Sequence, residues 1–194
     1  MILILALLAA ADPGAAAEAI RDPRDGQLYR TVRIGDQSWL AENLRYQSPR
    51  SRCYDDALRR CAAWGRLYLH EEALTACPPG WRLPSDDDWM RLERTVGVPA
   101  DALRAERARG PGSGERLKAG GGTGFDALYA GYRDPHEGGY RRGGETAAFW
   151  ASTLDGADDV SALAWHRDVD VRRTGIYRSR VNVTYALPVR CVAD

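Results

Sequence analysis

The chain has 194 residues, which is enough for one domain of ordinary size with a buried core. Its 27 Lys and Arg residues balance its 27 Asp and Glu residues, so the formal net charge is zero. No overall field therefore recruits nucleic acid or an anionic membrane. Hydrophobic residues make up 44% of the chain, as in globular proteins, and 20 glycines and 10 prolines predict many turns between short strands.

The chain begins with an apolar run, MILILALLAAA, and the small residues of DPGAAAEA follow it. This order is typical of a secretory signal peptide and predicts a leader over residues 1–17 and a single domain over residues 18–194. The run is too short to span a bilayer. Because it lacks a positive n-region, there are two alternatives: a start that lies inside a longer signal peptide, and a weak apolar tail without a role in export. We expect a secreted, periplasmic or cell-surface protein with no transmembrane segment.

The chain has four cysteines, and an even number behind a predicted leader favours two disulfides. Cys53, Cys61, Cys77 and Cys191 can pair in three ways. Cys53 and Cys61 bracket a short segment and are natural partners, which would leave Cys77 to reach Cys191. A zinc site is the rival interpretation, but there is no C-x-x-C pair and the three histidines show no ligand spacing. We predict no metal site, and no motif calls for a cofactor.

The first predicted elements are a hairpin and two short helices. QLYRTVRIGDQSWLAENL predicts a β-hairpin that turns at Gly35 and Asp36. HEEALTAC predicts a short helix that the following Pro78 stops. Ser85 with Asp88 three residues later has the pattern of a capping box, so the second helix is predicted to begin there.

Two acidic stretches are candidates for metal binding. The first consists of Asp86, Asp87 and Asp88, which also suit the first turn of a helix, where carboxylates complement the helix dipole and cap free N–H groups. The second is LDGADD, which begins at Leu154 and lacks the spacing of a known calcium loop. We favour a structural role for both stretches.

The rest of the chain predicts a loop and then an antiparallel sheet. GVPADALRAERARGPGSGERLKAGGGTG predicts a short helix at most, followed by an exposed loop. A phosphate loop has its lysine after the glycines, whereas Lys118 precedes GGGTG. From Phe125 onward, short β-prone segments alternate with turns. Neither Ser152 nor Ser161 lies in a nucleophile elbow, so no hydrolase motif is present.

Taken in order, several segments resemble the Fibrobacter succinogenes major paralogous domain, a bacterial extracytoplasmic family. The matching segments are DGQLYRTVRIGDQSWLAENLRY, CYDDALRRCAAWGRLY, ACPPGWRLPSDDDWMRL, FDALYAGYRD, FWAST and VRCVAD. The order of helix, cysteine, GWRLPS, second helix and a sheet ending in cysteine is also similar to the C-type lectin-like fold. This resemblance implies a loop-rich, disulfide-stabilised α+β domain with two short helices packed on antiparallel sheets. It also implies a disulfide between Cys77 and Cys191.

The lectin-like resemblance implies a scaffold for loops and no fixed activity. Calcium-dependent sugar binders carry an E-P-N or Q-P-D string and a W-N-D string, and this chain has neither. Its nearest string, WHRD from Trp165 to Asp168, lacks the Asn-Asp pair whose oxygens would bind calcium. The copper chemistry of the similar formylglycine-generating enzymes needs a reactive cysteine pair, and here all four cysteines are assigned to disulfides.

Arginines and tyrosines cluster in the region where the lectin-like fold presents its variable binding surface, and both residue types often anchor interfaces. We predict ligand binding there, with Arg167 and Tyr185 in the same cluster. The predicted ligand-binding residues are Arg172, Arg173, Tyr177, Arg178, Arg180 and Trp165. The alternative is that these arginines are simply solvated strand positions.

The leading hypothesis is an exported module that recognises a polysaccharide or protein ligand at the cell surface without catalysis. It predicts that Arg172, Arg173, Tyr177 and Arg178 share one exposed patch. The alternatives are a carbohydrate- or protein-modifying enzyme on the same scaffold, which needs His166 or His136 beside an aspartate in a pocket, and a purely structural surface protein.

Overall fold

A computed structural model describes residues 18–156 and 161–194 of the chain. The predicted leader, residues 1–17, lies outside the described residues, and so do residues 157–160, which include the second half of the LDGADD turn. The described residues contain four α-helices, one 3-10 helix and 13 β-strands. The helices are the 3-10 helix Tyr54–Asp56, α1 (Leu58–Trp64), α2 (His70–Ala76), α3 (Asp86–Thr95) and α4 (Ser113–Leu117).

The strands are short, and most have two to eight residues. They are β1 (Ala19–Arg21), β2 (Leu28–Ile34), β3 (Gln37–Leu40), β4 (Leu67–Leu69), β5 (Trp81–Arg82), β6 (Arg107–Arg109), β7 (Tyr132–Asp134), β8 (Gly139–Arg141), β9 (Thr146–Asp155), β10 (Leu163–Asp170), β11 (Ile176–Asn182), β12 (Ala186–Pro188) and β13 (Val192–Ala193).

These strands form three sheets, and every strand pair in them is antiparallel. The first sheet has the order β1-β2-β3-β13-β5, the second β6-β11-β10-β9 and the third β4-β12-β7-β8. The predicted hairpin is the pair β2 and β3, in which Ile34 lies opposite Gln37. The α+β class and the antiparallel sheets are therefore confirmed.

The prediction of two helices is wrong, because the described residues contain four. The two predicted helices are α2 and α3. Helix α1 was not predicted, and α4 lies in the segment that was predicted to be a short helix at most, followed by an exposed loop. Both are short, with seven and five residues. Cys61 is the one buried residue of α1, so its sequence lacks the apolar period that signals a helix.

The second helix, α3, begins with the predicted capping box. The backbone N–H of Asp88 donates to Ser85 Oγ at 3.1 Å, and the Asp88 carboxylate accepts from the backbone N–H of Ser85 at 2.8 Å. One face of this helix is buried in the core, where Trp89 and Leu92 are at most 1% exposed. The ring of Trp89 packs 4.9 Å from Trp39, and this contact joins α3 to the first sheet.

Two disulfides brace the domain, and they join Cys53 to Cys61 and Cys77 to Cys191. This is the pairing that the sequence favoured. The second disulfide spans 114 residues and ties the end of α2 to the residue before β13. By the chain-entropy model, a closure of that length stabilises the fold by about 4–5 kcal/mol.

Candidate ligand-binding site

The predicted binding residues lie on the hairpin of β10 and β11. In this hairpin Trp165 is opposite Arg180, and Arg167 is opposite Arg178. Because successive side chains of a strand point to opposite faces, these four residues share one face of the second sheet, and Tyr177 lies on the other face. The structure therefore separates residues that were predicted to form one patch.

Arg178 does not lie on the surface, so the prediction that it belongs to an exposed patch is wrong. Its Nε and Nη2 atoms donate to the two carboxylate oxygens of Asp86 at 2.9 and 2.7 Å, and its Nη1 atom donates to the Arg104 carbonyl at 2.9 Å. Its guanidinium carbon also lies 3.4 Å from the centre of the Trp165 ring. These partners occupy the donors that a ligand would need.

Arg167 is fully buried in the same cluster, between α3 and the second sheet. Its Nε atom donates to Glu93 Oε1 at 2.5 Å, and its Nη2 atom lies 2.7 Å from Asp86 Oδ1. Arg109 of β6 pairs with the second oxygen of Glu93. We call Asp86, Glu93, Arg109, Arg167 and Arg178 the buried ion cluster. It joins two carboxylates on one helix to arginines on three strands.

The charges of this cluster shift the pKa of Asp86. Burial raises the pKa of this carboxyl, but the hydrogen bonds from Arg178 and the charge of Arg167 lower it more, so the net pKa is below the usual range. Asp86 is therefore ionised at neutral pH. The side chain accepts hydrogen bonds from two guanidinium groups and has a structural role in holding α3 on the sheet.

Arg180 and Trp165 lie at the edge of the buried ion cluster and are partly exposed. The Nη2 atom of Arg180 donates to Glu106 Oε1 at 2.6 Å, and its Nη1 atom pairs with Asp155. Its guanidinium carbon lies 5.1 Å from the Trp165 ring centre. Two arginines thus contact the Trp165 ring, and both already have carboxylate partners.

Arg172 and Arg173 are exposed in the turn between β10 and β11. Among the described residues, no carboxylate pairs with either guanidinium group. The turn itself is held firmly: the backbone N–H of Arg172 donates to Asp170 Oδ1 at 2.8 Å, and Lys118 Nζ donates to the carbonyls of Val171 and Arg173 at 3.3 and 2.9 Å. We call residues 171–175 the arginine turn.

Helix α4 packs directly against the arginine turn. The backbone N–H of Gly114 donates to the Thr174 carbonyl at 2.8 Å. A Cβ atom at Gly114 would lie 2.7 Å from the Gly175 carbonyl oxygen, which is too close for any other residue to fit without movement. Contact with α4 therefore fixes the backbone of the arginine turn, and with it the positions from which the side chains of the turn extend.

An open cavity of about 370 Å³ lies at the arginine turn. Arg172, Arg173 and Thr174 line it from the turn, and Ala108 and Pro111 line it from the end of β6 and the loop that follows. No carboxylate is among its lining residues. Arginine forks match carboxylate, sulfate and phosphate groups, so the lining suits an anionic group.

Comparison with known families identifies the chain. A family model described as the Fibrobacter succinogenes major domain matches residues 32–193. The chain belongs to this family. The match runs from β2 to β13, so this Fibrobacter succinogenes major domain includes the buried ion cluster and the arginine turn. No curated protein matches the chain, and no solved structure matches it either.

In the described residues of this Fibrobacter succinogenes major domain, no group of three or more His, Cys, Asp or Glu side chains could hold a metal ion. No helix over the same residues is long and apolar enough to cross a membrane.

On the face that carries Tyr177, His166 lies beside Asp168. His166 Nε2 is 3.7 Å from Asp168 Oδ1, which is too far for a hydrogen bond. The Nδ1 atom of His166 is buried and has no hydrogen-bond partner among the described residues. Ser179 is the cross-strand neighbour of His166. His166 is the histidine of the hairpin, and an acid and a hydroxyl residue are its neighbours there.

A second and larger cavity, of about 610 Å³, lies beside α3. Met90 and Leu103 line it together with charged side chains of both signs, and one of these pairs, Arg104 with Asp87, is separated by 3.7 Å. Because the charges are mixed and partly paired, this cavity favours no single class of ligand.

Three features of the site in this Fibrobacter succinogenes major domain were not predicted from the sequence: the lining from the end of β6, the support from α4, and the partners of the buried arginines. The burial of two of these arginines does have a signal in the sequence. Arg178 lies two residues after Ile176, and Arg167 lies two residues before Val169. Each arginine therefore shares its strand face with a core residue, which indicates burial.

Proposed function

We propose that this domain is an extracytoplasmic binding module that recognises an anionic group of a polysaccharide or protein ligand at the arginine turn, without catalysis. One observation carries the proposal. Arg172 and Arg173 are exposed, have no carboxylate partner among the described residues and lie beside a cavity with no acidic lining, whereas Arg167, Arg178 and Arg180 already pair with carboxylates. An anion at the turn would meet donors that no acid of the described residues occupies.

The aromatic ring next to the turn adds a second kind of contact. The guanidinium carbon of Arg173 lies 5.4 Å from the centre of the Tyr177 ring, which is partly exposed. A tyrosine ring offers a flat apolar surface and a hydroxyl group to a ligand. A ligand with an anionic group and an apolar face, such as a uronic acid unit or an acidic peptide, fits this pair.

We propose in addition where this module is located and which fold it has. The two disulfides fit an oxidising compartment outside the cytoplasm, in line with the predicted export. We also propose a C-type lectin-like fold, which is supported by the disulfide from the end of α2 to the last strand. The binding turn then lies among the loops that such scaffolds vary.

Three probes test the function: polygalacturonate, poly-L-glutamate and neutral dextran, each titrated against the oxidised chain with and without calcium. We expect binding of at least one of the two polyanions, weakening with salt and independent of calcium, and no binding of dextran. The double variant Arg172→Gln and Arg173→Gln should bind the polyanion at least tenfold more weakly than the wild-type chain does.

The matched control removes two positive charges from residues outside the arginine turn. Arg59 and Arg94 are exposed and pair with no carboxylate among the described residues, so Arg59→Gln with Arg94→Gln should leave polyanion binding unchanged. The proposal fails if neither polyanion binds, or if both double variants lose affinity equally, since binding would then reflect total charge.

An enzyme is the second candidate because of the His166, Asp168 and Ser179 arrangement. Hydrogen bonds of catalytic groups often tighten only when substrate binds, so the 3.7 Å separation is compatible with acid–base chemistry. Hydrolysis of ester and glycoside panels by the wild-type chain, with the His166→Ala variant as blank, tests this candidate. Equal rates for the two proteins would remove it.

A further inference from the structure

The short disulfide has an arginine against its sulfur atoms. Arg66 Nη1 lies 3.4 Å from Cys61 Sγ and 3.9 Å from Cys53 Sγ. Among the described residues, no side-chain nitrogen contacts the sulfurs of Cys77 or Cys191. The two disulfides of the chain thus differ in their electrostatic surroundings, and a cation stands beside one of them.

Arg66 is a buried cation without a carboxylate partner among the described residues. Its Nε atom donates to Ser51 Oγ at 2.8 Å, and its Nη2 atom donates to the Ser51 carbonyl at 2.9 Å. These acceptors are neutral, so the positive charge is not balanced, and an unbalanced buried charge is costly. A thiolate formed at Cys61 would supply the missing negative charge 3.4 Å away.

We propose that the Cys53–Cys61 disulfide is a thiol-exchange site, opened by a dithiol reductant with Cys61 as the leaving group. The thiolate of the reductant attacks Cys53 Sγ and forms a mixed disulfide, and the electron pair of the broken S–S bond leaves on Cys61 Sγ beside Arg66. The second thiol of the reductant then attacks the reductant's other sulfur atom, the one bonded to Cys53 in the mixed disulfide, and Cys53 is released. Two electrons pass from the dithiol, which becomes a disulfide.

Arg66 favours this direction because a neighbouring cation lowers the pKa of a cysteine thiol, and a thiol of lower pKa is the faster leaving group. The same contact assigns the roles of the two sulfurs, since Cys61 Sγ is nearer to the guanidinium than Cys53 Sγ. Of the two protons of the dithiol, one ends on Cys53 and the other passes to solvent, while Cys61 stays a thiolate.

The structure around the bond is small enough to open locally. Both cysteines are nearly buried, and Cys61 lies within α1. No side chain caps this helix at Ala57, and its first residue, Leu58, is 79% exposed. Such short surface elements open at a lower free energy than the core does. A small dithiol would then reach Cys53.

Opening the bond would release one surface and leave the rest of the fold tied. Tyr54 follows Cys53 directly, and its ring packs 5.6 Å from Trp64 and 5.2 Å from Tyr140. Its hydroxyl oxygen accepts a hydrogen bond from the Gly143 backbone N–H at 3.1 Å. Reduction would free these contacts of the 3-10 helix with α1, with β8 and with the loop after β8. The other disulfide would still hold the end of α2 to the residue before β13.

The first experiment compares the two bonds within one molecule. The oxidised full chain is treated with dithiothreitol without denaturant, thiols are trapped with iodoacetamide at intervals, and mass spectrometry quantifies each cysteine. We expect Cys53 and Cys61 to be released at least tenfold faster than Cys77 and Cys191. Release of all four at one rate would contradict a separate exchange site.

The decisive experiment measures the pKa of each thiol in the selectively reduced chain from the pH dependence of its alkylation. We expect the pKa of the Cys61 thiol to be lower than that of Cys53 and below the value of about 8.5 for a free thiol. Arg66→Gln should abolish the difference and Arg66→Lys should keep part of it, with Arg59→Gln on α1 as the control. Equal pKa values for the two thiols in the wild-type chain would overturn the proposal, whatever the variants do.

Discussion

Arginines only a few residues apart on the β10–β11 hairpin have opposite roles. Arg167 and Arg178 lie in the buried ion cluster, where Asp86 and Glu93 neutralise them, whereas Arg172 and Arg173 lie in the turn without a carboxylate partner among the described residues. Residue type therefore does not decide the role of an arginine. The face of the strand decides it, together with a helix that supplies acids from a distant part of the chain.

The largest effect is expected inside the buried ion cluster. Glu93 is fully buried and pairs with both Arg167 and Arg109. Glu93→Gln leaves these two buried cations without the negative charge of the Glu93 carboxylate, so the free energy of unfolding should fall by about 3–5 kcal/mol. Urea denaturation with the disulfides intact measures it.

The matching surface substitution is Glu137→Gln, because Glu137 is 68% exposed in its pair with Arg141. This variant should lose less than about 1 kcal/mol. Similar losses in the two variants would show that burial does not distinguish the two kinds of pair.

A second expected effect depends on pH. The folded pKa of Asp86 is below its usual range, so this carboxylate stabilises the fold at neutral pH, and the stabilisation is lost as pH falls below about 4 toward the folded pKa. Asp88 and Asp170 shift in the same direction. The unfolding free energy should therefore fall between pH 5 and pH 3.

The Asp86→Asn variant isolates the part that Asp86 contributes to this fall. Since it removes one of the titrating groups, its unfolding free energy should depend less steeply on pH over the same interval. Urea titrations of both proteins at pH 7, 5 and 3 give the slopes, and parallel slopes would assign the acid sensitivity to other carboxylates.

The smallest effect on stability is expected at the arginine turn. Replacing Arg172 and Arg173 by glutamine removes no ion pair among the described residues, so the free energy of unfolding should change by less than about 0.5 kcal/mol. Thermal or urea unfolding of the double variant checks this. A loss above about 1 kcal/mol would place these arginines with the structural group and weaken their assignment to ligand binding.

Local signals in the sequence predicted the parts of the fold that are local. The β2–β3 hairpin follows from a turn between β-prone runs, and the start of α3 follows from Ser85 and Asp88. The pairing of Cys53 with Cys61 follows from their short separation. In each case a few neighbouring residues contain the physical cause.

The partners of the buried arginines were not predictable in the same way. Arg178 and Asp86 are 92 residues apart, and only the packing of α3 on the second sheet brings them together. Arg167 and Arg178 share their strand faces with the core residues Val169 and Ile176, a pattern that the prediction of an exposed patch overlooked. No sequence pattern names the acids that permit their burial. Helix α1 buries only Cys61 and α4 has only five residues, so neither shows an apolar period in its sequence.

The support beneath the arginine turn has a practical consequence for studying this protein. Lys118, whose ammonium group holds the backbone of the turn, is the only lysine of the chain and is 12% exposed on its side chain. Amine-reactive dyes, biotin esters and sensor surfaces that couple through lysine would react at the base of the candidate binding site. Labelling through carboxylates far from the turn would keep that site intact.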